Sequence, residues 1–519
     1  MITAIEIENF KAIRDRVRVE LKPITLLFGP NSAGKSTVVQ ALHYAREILE
    51  RHNLDPDRTI YGGDAVELGG FRNLVYNHDA TRSITLRFDL DLRAIDLSEE
   101  VPEIGPLAGK LQSSISARAE SASIELVVRW SLFLGSPLII SYAVDINGQP
   151  IARITASEDG KRIALTDINL HHPIFYEPGK AGQQRLAVGP SDLELLYSAV
   201  VKDSDEVGVL QQRSALPNWD ASLVLDVEEP ESDNEQFESY LDLVGCLNEL
   251  LLAPGRILRQ GLRGFRYLGP LRQIPPRNYE PARSQDEARW ASGLAAWDAL
   301  HRNGEEFVRS VSDWMFRPDR LDAGYELRLK RYKELDAAGP LMLSLSPDRA
   351  LDDIEDLRGE LEKLPTKSRL VLVEGGKEIE ILPPDVGVGV SQVLPVVVAA
   401  LDDSSGFVAI EQPELHIHPA IQVNLGDLFI SQIGQGTKVF LLETHSEHLL
   451  LRLLRRIRET AADDLPPGAA PLRPEQLAVF YVEQTPDGAK LYKLRVDEAG
   501  EFIDRWPKGF FEERVDEIL

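Results

Sequence analysis

The chain of 519 residues is long enough for two to four domains, or for one core that carries a large insertion. Its 57 basic and 83 acidic residues give a formal charge of −26, which opposes non-specific attraction to nucleic acid, and its single cysteine, Cys246, excludes intramolecular disulfides and cysteine-based metal sites. No stretch reaches the roughly eighteen uncharged apolar residues of a membrane span, and the first residues lack the features of a secretion signal, so we expect a cytoplasmic protein without membrane contact.

Residues 1–93 predict strands and one long helix around a phosphate-binding loop. The apolar run Ile24–Phe28 predicts a strand, and helical spacing begins at Ser36 and continues to about Asn53. Between them lies the sequence G-P-N-S-A-G-K-S, in which glycines let backbone N–H groups surround a phosphate, Lys35 can bridge β- and γ-oxygens, and Ser36 can ligate Mg²⁺. This chain is therefore predicted to bind a magnesium nucleoside triphosphate. The residues predicted around it are Asn31, Ser32, Ala33, Gly34, Lys35, Ser36 and Thr37.

The pattern changes over residues 94–365. Alternating apolar residues at Ser123–Trp130 and Leu138–Val144 predict antiparallel hairpins. Acidic stretches with helical spacing follow around Ser191–Ser198 and Asn234–Leu252. We therefore predict an insertion that mixes β hairpins with helices.

An arginine-rich run extends from Arg256 to Arg289 and offers the one local site for DNA in an acidic chain. Solvated helix faces and salt bridges explain such runs more often than nucleic-acid grooves do, so we favour ion pairing. The arginines are Arg256, Arg259, Arg263, Arg266, Arg272, Arg277, Arg283 and Arg289.

The strands of a buried parallel sheet resume after residue 365. Gly406–Ile410 and Lys438–Leu442 are continuous apolar runs, which are typical of parallel strands covered on both faces. Acids follow the first run and His445 follows the second. Before them, the glycine-rich segment around Gly387 and Gly389 predicts a loop that leads into a helix from Val393 to Leu401, with the hydroxyl of Ser391 free at a second anion site.

These motifs resemble those of ABC-type AAA ATPases in the SMC/RecF and OLD (overcoming lysogenization defect) branch. The resemblance rests on the opening strand Ile5–Lys11, the phosphate loop, Ser391 as the signature serine, Glu411 as the Walker B acid and His445 as the switch histidine. The sequences I-E-Q-P-E-L-H-I-H-P and E-T-H-S-E-H, with the ending W-P-K-G-F-F, are similar to a stand-alone bacterial group with an uncharacterised C-terminal domain. The motifs cover roughly half of the chain, and within 94–365 only Tyr267–Arg272 matches.

The resemblance implies an α/β fold, a P-loop ABC-type nucleotide-binding domain split by a large α+β insertion. We predict an N-terminal core half at 1–93, the insertion at 94–365, a C-terminal core half at 366–460 and a C-terminal domain at 461–519. ATP and Mg²⁺ are the implied cofactors.

The resemblance also assigns roles to residues. Ser36 and Glu411 would hold the metal ion, while Glu411, Gln412, Glu414 and His445 would serve catalysis. Ser391 would contact the γ-phosphate bound by another subunit, so that a homodimer encloses two ATP molecules. Lys11 flanks the adenine or a phosphate, with an equal case for a solvated strand face.

Gln412 departs from the family pattern, which has a glutamate at the general-base position. An amide cannot accept a proton as a carboxylate does, although glutamine can position an attacking water. Glu414, three residues on, could act instead. We therefore predict hydrolysis that is slow or gated by a partner or by DNA.

The group that the chain resembles is often encoded beside nucleases or other effectors in anti-phage defence. We therefore expect a sensor or regulator that acts with a protein effector, with DNA as an open possibility. The chain lacks the paired Asp-x-Asp pattern of an OLD nuclease after residue 445. A nucleotide-gated scaffold with little turnover is an alternative that Gln412 favours, and a RecF-like DNA-repair ATPase is one that the charge of −26 opposes.

Overall fold

The structure, a computed structural model, describes residues 1–56, 66–100, 118–178, 184–186, 206–226, 241, 244–282, 288–337, 361–375, 377–434 and 438–507. The chain divides into two units. The first comprises Met1–Phe265, Val439–His445 and Arg473–Leu519, and the second comprises Arg266–Lys438 and Ser446–Leu472. Of the predicted elements, the helix at Ser191–Ser198 and the aromatic pair Phe510-Phe511 lie outside the described residues, and the helix at Asn234–Leu252 lies partly outside them.

An antiparallel sheet of nine strands dominates the first unit, in the order β12-β11-β8-β7-β6-β5-β4-β1-β2. Along β5, alanine, isoleucine, leucine and valine at every second position are buried, so the alternation that predicted hairpins at Ser123–Trp130 and Leu138–Val144 is confirmed. The strands are β1 (Ile2–Glu8), β2 (Val17–Glu20), β4 (Ile84–Asp91), β5 (Ser121–Ser131), β6 (Ser136–Ile146), β7 (Gln149–Ala156), β8 (Ile163–Thr166), β11 (Val207–Val209) and β12 (Leu225–Asp226). Strands β9 (Tyr176–Pro178) and β10 (Gln184–Leu186) form a separate pair.

The strand before the phosphate loop lies between two parallel neighbours. Strand β3 (Ile24–Phe28) pairs with β18 (Val439–Glu443) on one side and with β19 (Leu477–Thr485) on the other, and β20 (Gly488–Leu494) pairs antiparallel with β19. Every residue of β3 and β18 is buried, as their continuous apolar runs predicted. This pairing explains why the units differ from the four predicted segments: β18 and the C-terminal strands join residues 1–265, whereas the predicted insertion is divided at Phe265.

The helices of the first unit are α1 (Ser36–Arg51), α2 (Phe71–Leu74) and α3 (Ala253–Arg263). Short 3-10 turns occur at Tyr76–His78, Leu97–Glu100, Pro173–Phe175 and Pro474–Gln476, and a π-helical stretch, Asn248–Leu252, precedes α3. Helix α1 is buried on most of its sides, and Tyr44 stacks on Phe10 at 5.8 Å between ring centroids. The helix that carries the end of the phosphate loop is thus a core element.

The second unit combines a small antiparallel sheet with a helical layer. Strand β13 (Phe265–Leu268) lies beside β17 (Phe407–Glu411), and β15 (Thr366–Glu374) pairs with β14 (Tyr325–Lys333) and β16 (Glu380–Ile381). Its helices are α4 (Ala288–Ala291), α5 (Leu294–Arg302), α6 (Gly304–Phe316), α7 (Val388–Leu401), α8 (Pro419–Ile433) and α9 (Glu447–Ala461), with a 3-10 turn at Pro383–Asp385. Among the described residues, no helix has both the length and the apolar composition to cross a bilayer.

Helix α7 begins five residues before the predicted start at Val393. Gly387 is its N-cap, so Gly389 is helical and does not belong to a loop. A Cβ atom at Gly389 would lie 2.7 Å from the carbonyl oxygen of His416, so the glycine permits a close approach between backbones. The sequence predicted a glycine loop at an anion site, whereas Gly389 lies within the helix and packs against the backbone of His416.

The arginine-rich run is largely engaged with protein oxygens. Six of its seven described arginines contact a carboxylate or a carbonyl oxygen within their own unit, which favours the ion-pairing interpretation over an open cationic groove. The contacts are Arg256 with the Glu100 carbonyl, Arg259 with Glu50 and Asp220, Arg266 with Asp402, Arg272 with backbone carbonyls, Arg277 with Asp385, and Arg289 with Asp298.

The burial of His43 on α1 predicts acid sensitivity. Its ring packs against Phe265 at 5.0 Å between centroids, and burial, with a smaller effect from Arg46, lowers its pKa to about 3. In the unfolded chain the pKa of this histidine is near 6.5, so below that pH the unfolded chain binds a proton that the folded chain does not bind. The free energy of unfolding therefore falls by about 1.4 kcal/mol per pH unit between pH 6.5 and about 3. His43→Gln should therefore show a smaller drop in melting temperature between pH 7.5 and 5 than the wild type.

The exposed His78 provides the matched control for this prediction. His78→Gln should keep the pH dependence of the wild type, because it leaves His43 and its packing against Phe265 in place. An equal drop for His43→Gln and the wild type would show that His43 does not remain neutral in the folded protein.

Candidate functional site

The phosphate loop connects β3 to α1 through a backbone that needs glycine. Gly29 and Gly34 have φ angles of +145° and +99°, and Ser32 has φ of +62°. A Cβ atom at Gly29 would lie 2.2 Å from the carbonyl oxygen of Val482 on β19. The neighbouring strand therefore leaves room for glycine alone at the first position of the motif.

The rest of the loop presents polar groups to solvent. Asn31 and Ser32 are exposed, whereas Ala33 and Thr37 are buried. No side chain among the described residues caps the N-terminus of α1, as an anion-binding helix end requires. The ring of Phe28, directly before the loop, packs edge-to-face with the ring of Trp506, with 5.9 Å between the ring centroids. The C-terminal segment therefore contacts the end of the strand that leads into the loop.

Lys35 curls back under its own loop. Its Nζ donates to the carbonyl oxygens of Gly29 at 3.1 Å and Pro30 at 2.9 Å, and lies 3.7 Å from Oε1 of Glu443. The side chain is only 3% exposed. A buried ammonium is tolerated here because carbonyl dipoles and a carboxylate replace its hydration.

Glu443 contacts both functional side chains of the loop. It is the last residue of β18, opposite Leu27 in the parallel register, and its Oε2 accepts a hydrogen bond from the Ser36 hydroxyl at 2.7 Å. Burial raises the pKa of this carboxyl, and the Ser36 hydrogen bond and the Lys35 charge oppose that rise. These contacts of Glu443 were not predicted from the sequence. The sequence does show a charged residue at the end of an apolar run. That this residue contacts the phosphate loop follows only from the pairing of β18 with β3.

His445 follows two residues later on the same edge. The Thr444 N–H donates to the Leu27 carbonyl at 3.1 Å, which continues the β18–β3 pairing beyond the strand. His445 is half-buried, and burial, with the Lys35 charge, lowers its pKa, so the ring is neutral at pH 7. The structure thus brings His445 to the edge that carries the phosphate loop, and its switch role stays a prediction.

Lys11 lies in a turn that is tied to the loop. Its φ is +47°, its N–H donates to the Leu74 carbonyl at 2.6 Å, and burial lowers the pKa of its ammonium. The carbonyl oxygen of the next residue, Ala12, accepts a hydrogen bond from the Ala489 N–H at 2.7 Å. A Cβ atom added at Gly34 would lie 3.0 Å from the Cβ of Ala12. Contact of Lys11 with a nucleotide therefore stays a prediction, on a segment that packs against the phosphate loop.

The second unit carries the other predicted catalytic residues. Glu411 ends β17, and its Oε1 accepts a hydrogen bond from the Tyr267 hydroxyl at 3.0 Å. Gln412 has φ of +46°, a left-handed conformation that costs roughly 1–2 kcal/mol in a residue with a side chain. Glu414 is half-buried. Their catalytic roles are not tested by these contacts.

Arg272 holds this strand end in place. Its guanidinium, 3% exposed, donates through Nη2 to the carbonyl oxygens of Glu411 at 2.6 Å and Gln412 at 3.0 Å, and through Nη1 to the carbonyl of Gln392 at 3.3 Å. The Gln392 amide in turn donates to the Arg272 carbonyl at 2.7 Å. Burial lowers the pKa of Arg272 to about 10, opposed first by Glu414, so the group stays charged at pH 7. Arg272 therefore joins α7 to the end of β17.

The hydroxyl of Ser391 is not free, which corrects the sequence-based expectation. Ser391 is 2% exposed, and its Oγ donates to the carbonyl oxygen of Val388 at 3.0 Å. The helix starts earlier than predicted, so the serine lies inside the first turn, where a preceding carbonyl is within reach. Gly387 and Val388 are the exposed residues at this helix end.

No group of three or more His, Cys, Asp or Glu side chains in the described part of the chain could hold a metal ion by itself. Magnesium commonly binds through one or two protein groups together with substrate phosphates. The Ser36 hydroxyl, which donates its proton to the Glu443 carboxylate, is a protein oxygen of this kind, so the residues present fit a magnesium ion that binds with a nucleotide.

Two regions of the chain match families of ATPase domains. Residues 1–97 match the family described as "AAA ATPase domain", and residues 265–452 match "AAA domain, putative AbiEii toxin, Type IV TA system". Both matches are thus to families of AAA-type ATPase domains. Residues 472–519 match "Protein of unknown function (DUF3696)", in agreement with the uncharacterised C-terminal domain expected from the sequence.

Among solved structures, the chain is similar to heads of SMC proteins. The SMC head domain from Thermotoga maritima has 9% identity and a TM-score of 0.36, with 95% of this chain and 99% of that chain covered. The Smc head domain bound to the C-terminal domain of ScpA, from Pyrococcus furiosus, has 10% identity and a TM-score of 0.39, with 100% and 99% covered. These scores do not establish a common fold. A comparison with curated proteins found no match.

Removal of the Arg272 guanidinium should destabilise the protein. Arg272→Met keeps the length of the side chain but leaves one buried and two part-buried carbonyl oxygens without this donor, which should cost about 2–3 kcal/mol in the free energy of unfolding. The control is Arg277→Met in the same segment, because Arg277 is 62% exposed and pairs with Asp385 at the surface. The control should cost under about 1 kcal/mol, as measured by urea unfolding. Equal losses would contradict the structural role of Arg272.

Proposed function

We propose that this protein is an ATPase that binds Mg·ATP at residues 29–36, closes as an ATP-bridged homodimer and regulates a partner effector in anti-phage defence. The observation that carries the nucleotide site is the contact of the half-buried Ser36 and the buried Lys35 with the buried Glu443 at the start of α1. A lysine ammonium and a serine hydroxyl on a glycine-rich loop are the groups that hold a triphosphate and its metal ion.

The residues of the first unit would bind and orient the nucleotide. Lys35 would exchange its bonds to the loop carbonyls for bonds to the β- and γ-phosphates, and Ser36 would turn an oxygen lone pair toward the magnesium ion. The ion supplies neutralisation of phosphate charge. His445, neutral at pH 7, would hydrogen-bond the γ-phosphate from the strand edge.

Residues 411–414 would supply the groups for hydrolysis. Glu411 would serve as the Walker B acid, and the Gln412 amide would orient the attacking water without accepting its proton. The Arg272 bond to the Gln412 carbonyl supports a fixed position for this residue. Slow turnover follows, because a carboxylate base is missing from position 412 and Glu414 would have to act in its place.

The proposed dimer and the proposed defence role are supported by different observations. The exposed start of α7 at Gly387 and Val388 supports contact with the nucleotide of another subunit, because a helix N-terminus attracts phosphate. The resemblance to the OLD branch supports the defence role, as does the description of the family that matches residues 265–452, which names an AbiEii toxin of a type IV toxin–antitoxin system.

Lys35→Ala tests nucleotide binding. MgATP should raise the melting temperature of the wild type, by an amount equivalent to about 2.7 kcal/mol at one hundred times the dissociation constant. Lys35→Ala should lose this gain because the ammonium that balances the phosphate charge is gone. Lys161→Ala, at an exposed position, should keep it.

The same samples test the dimer by light scattering. The mass of the wild type should double with MgATP, and that of Lys35→Ala should not change. If the wild type shows no stabilisation by MgATP, or if Lys35→Ala gains as much, the nucleotide site is wrongly assigned. Stabilisation without a change of mass would contradict the dimer alone.

Gln412→Glu tests the origin of slow turnover. A carboxylate at the general-base position should raise steady-state phosphate release by roughly 10- to 100-fold, since general bases commonly contribute at least that much. Glu414→Gln is the companion variant: if Glu414 is the base, this change removes turnover and Gln412→Glu restores it. Turnover near zero in both variants and in the wild type, with binding intact, would support a nucleotide-gated scaffold.

A further inference from the structure

We infer that Glu443 is a positioning residue on the metal side of the nucleotide site, and that it makes nucleotide affinity depend on Mg²⁺ by orienting the Ser36 hydroxyl. The inference rests on the proposed function, because it concerns the same loop. The motifs of the sequence did not predict this role for Glu443. Its basis is one contact, the 2.7 Å hydrogen bond from Ser36 Oγ to Glu443 Oε2.

The hydrogen bond determines which way the serine oxygen faces. A hydroxyl has one proton and two lone pairs, and a metal ligand must offer a lone pair. With its proton donated to Glu443, Ser36 turns both lone pairs away from the carboxylate. A distance of 2.7 Å is short enough for a charge-assisted bond, which resists rotation of the hydroxyl. Groups that orient a metal ligand from behind commonly change metal affinity by roughly 10- to 100-fold.

The charge of Glu443 has a second, opposite effect. The carboxylate is 7% exposed and lies 3.7 Å from the ammonium of Lys35, so it weakens the attraction of that cation for phosphate. A triphosphate without metal would meet a buried negative charge beside the loop. A triphosphate with Mg²⁺ would bring a cation that offsets this charge. Glu443 therefore disfavours metal-free nucleotide and favours the magnesium complex.

These two effects separate the inference from a purely structural role. If Glu443 only held Lys35 in place, its loss would change nucleotide affinity by the same factor with and without metal. If it acts as inferred, its loss changes the two affinities in opposite directions. The comparison needs no catalytic turnover.

The experiment measures the dissociation constant of a fluorescent ATP analogue in excess Mg²⁺ and in EDTA. Glu443→Gln should bind about 10- to 100-fold more weakly than the wild type in Mg²⁺. In EDTA it should bind several-fold more tightly, because a like charge beside the phosphates has been removed. A loss of affinity by one common factor in both conditions would overturn the inference.

Two further variants keep the test decisive. Glu443→Asp keeps the charge but withdraws the carboxylate from Ser36. It should therefore bind the analogue more weakly than the wild type in Mg²⁺ and equally well in EDTA. This variant provides the test if Glu443→Gln does not fold. Ser36→Ala should abolish the effect of Glu443→Gln in Mg²⁺, because the carboxylate acts through that hydroxyl. Additive effects of the two changes in Mg²⁺ would overturn the inference. A wild type that binds the analogue in neither condition would instead refute the proposed nucleotide site.

Discussion

The parallel pairing of β18 with β3 is the constraint on which the candidate site depends. It places Glu443 opposite Leu27, and so brings a carboxylate within reach of Lys35 and Ser36, more than 400 positions away in sequence. The same pairing continues through Thr444 and positions His445. Because every residue of both strands is buried, a slip of register would move charged side chains into an apolar core. The chemistry at the loop therefore depends on a long-range strand contact.

Each unit contains a buried cation that donates hydrogen bonds to backbone carbonyl oxygens at or just beyond the end of a strand. In the first unit Lys35 is surrounded by the carbonyl oxygens of Gly29 and Pro30, and in the second Arg272 is surrounded by those of Glu411, Gln412 and Gln392. Burial of an isolated charge is costly, so these cations persist because backbone dipoles replace water around them. Only Lys35 has a simple side chain that could exchange those dipoles for phosphate, whereas the forked guanidinium of Arg272 bridges three carbonyls. Lys35 is therefore suited to bind a ligand, and Arg272 is suited to hold neighbouring segments of the backbone together.

Two side chains bear on the proposed hydrolysis. The position that follows Glu411 carries an amide, where the resemblance leads one to expect a glutamate, and the carboxylate of Glu443 lies beside Ser36 of the phosphate loop. An amide cannot accept a proton as a carboxylate does, and Glu443 adds negative charge beside the loop. Both features agree with the proposed regulatory role, in which nucleotide and metal occupancy matter more than the rate of turnover.

The sequence by itself determined the local features of this protein. The phosphate loop, the strand before it, the helix from Ser36 and the hairpins at 121–146 depend on spacing and alternation over a few residues, so they could be predicted. The roles of Glu443 and Arg272, the helical position of Gly389 and the bonded hydroxyl of Ser391 could not. These depend on which distant segments lie side by side and on where a helix begins. Only the tertiary structure decides the contacts of Glu443 and Arg272, because their partners lie far away in the chain. The contact of Ser391 is local, but it depends on the helix starting earlier than the sequence predicted.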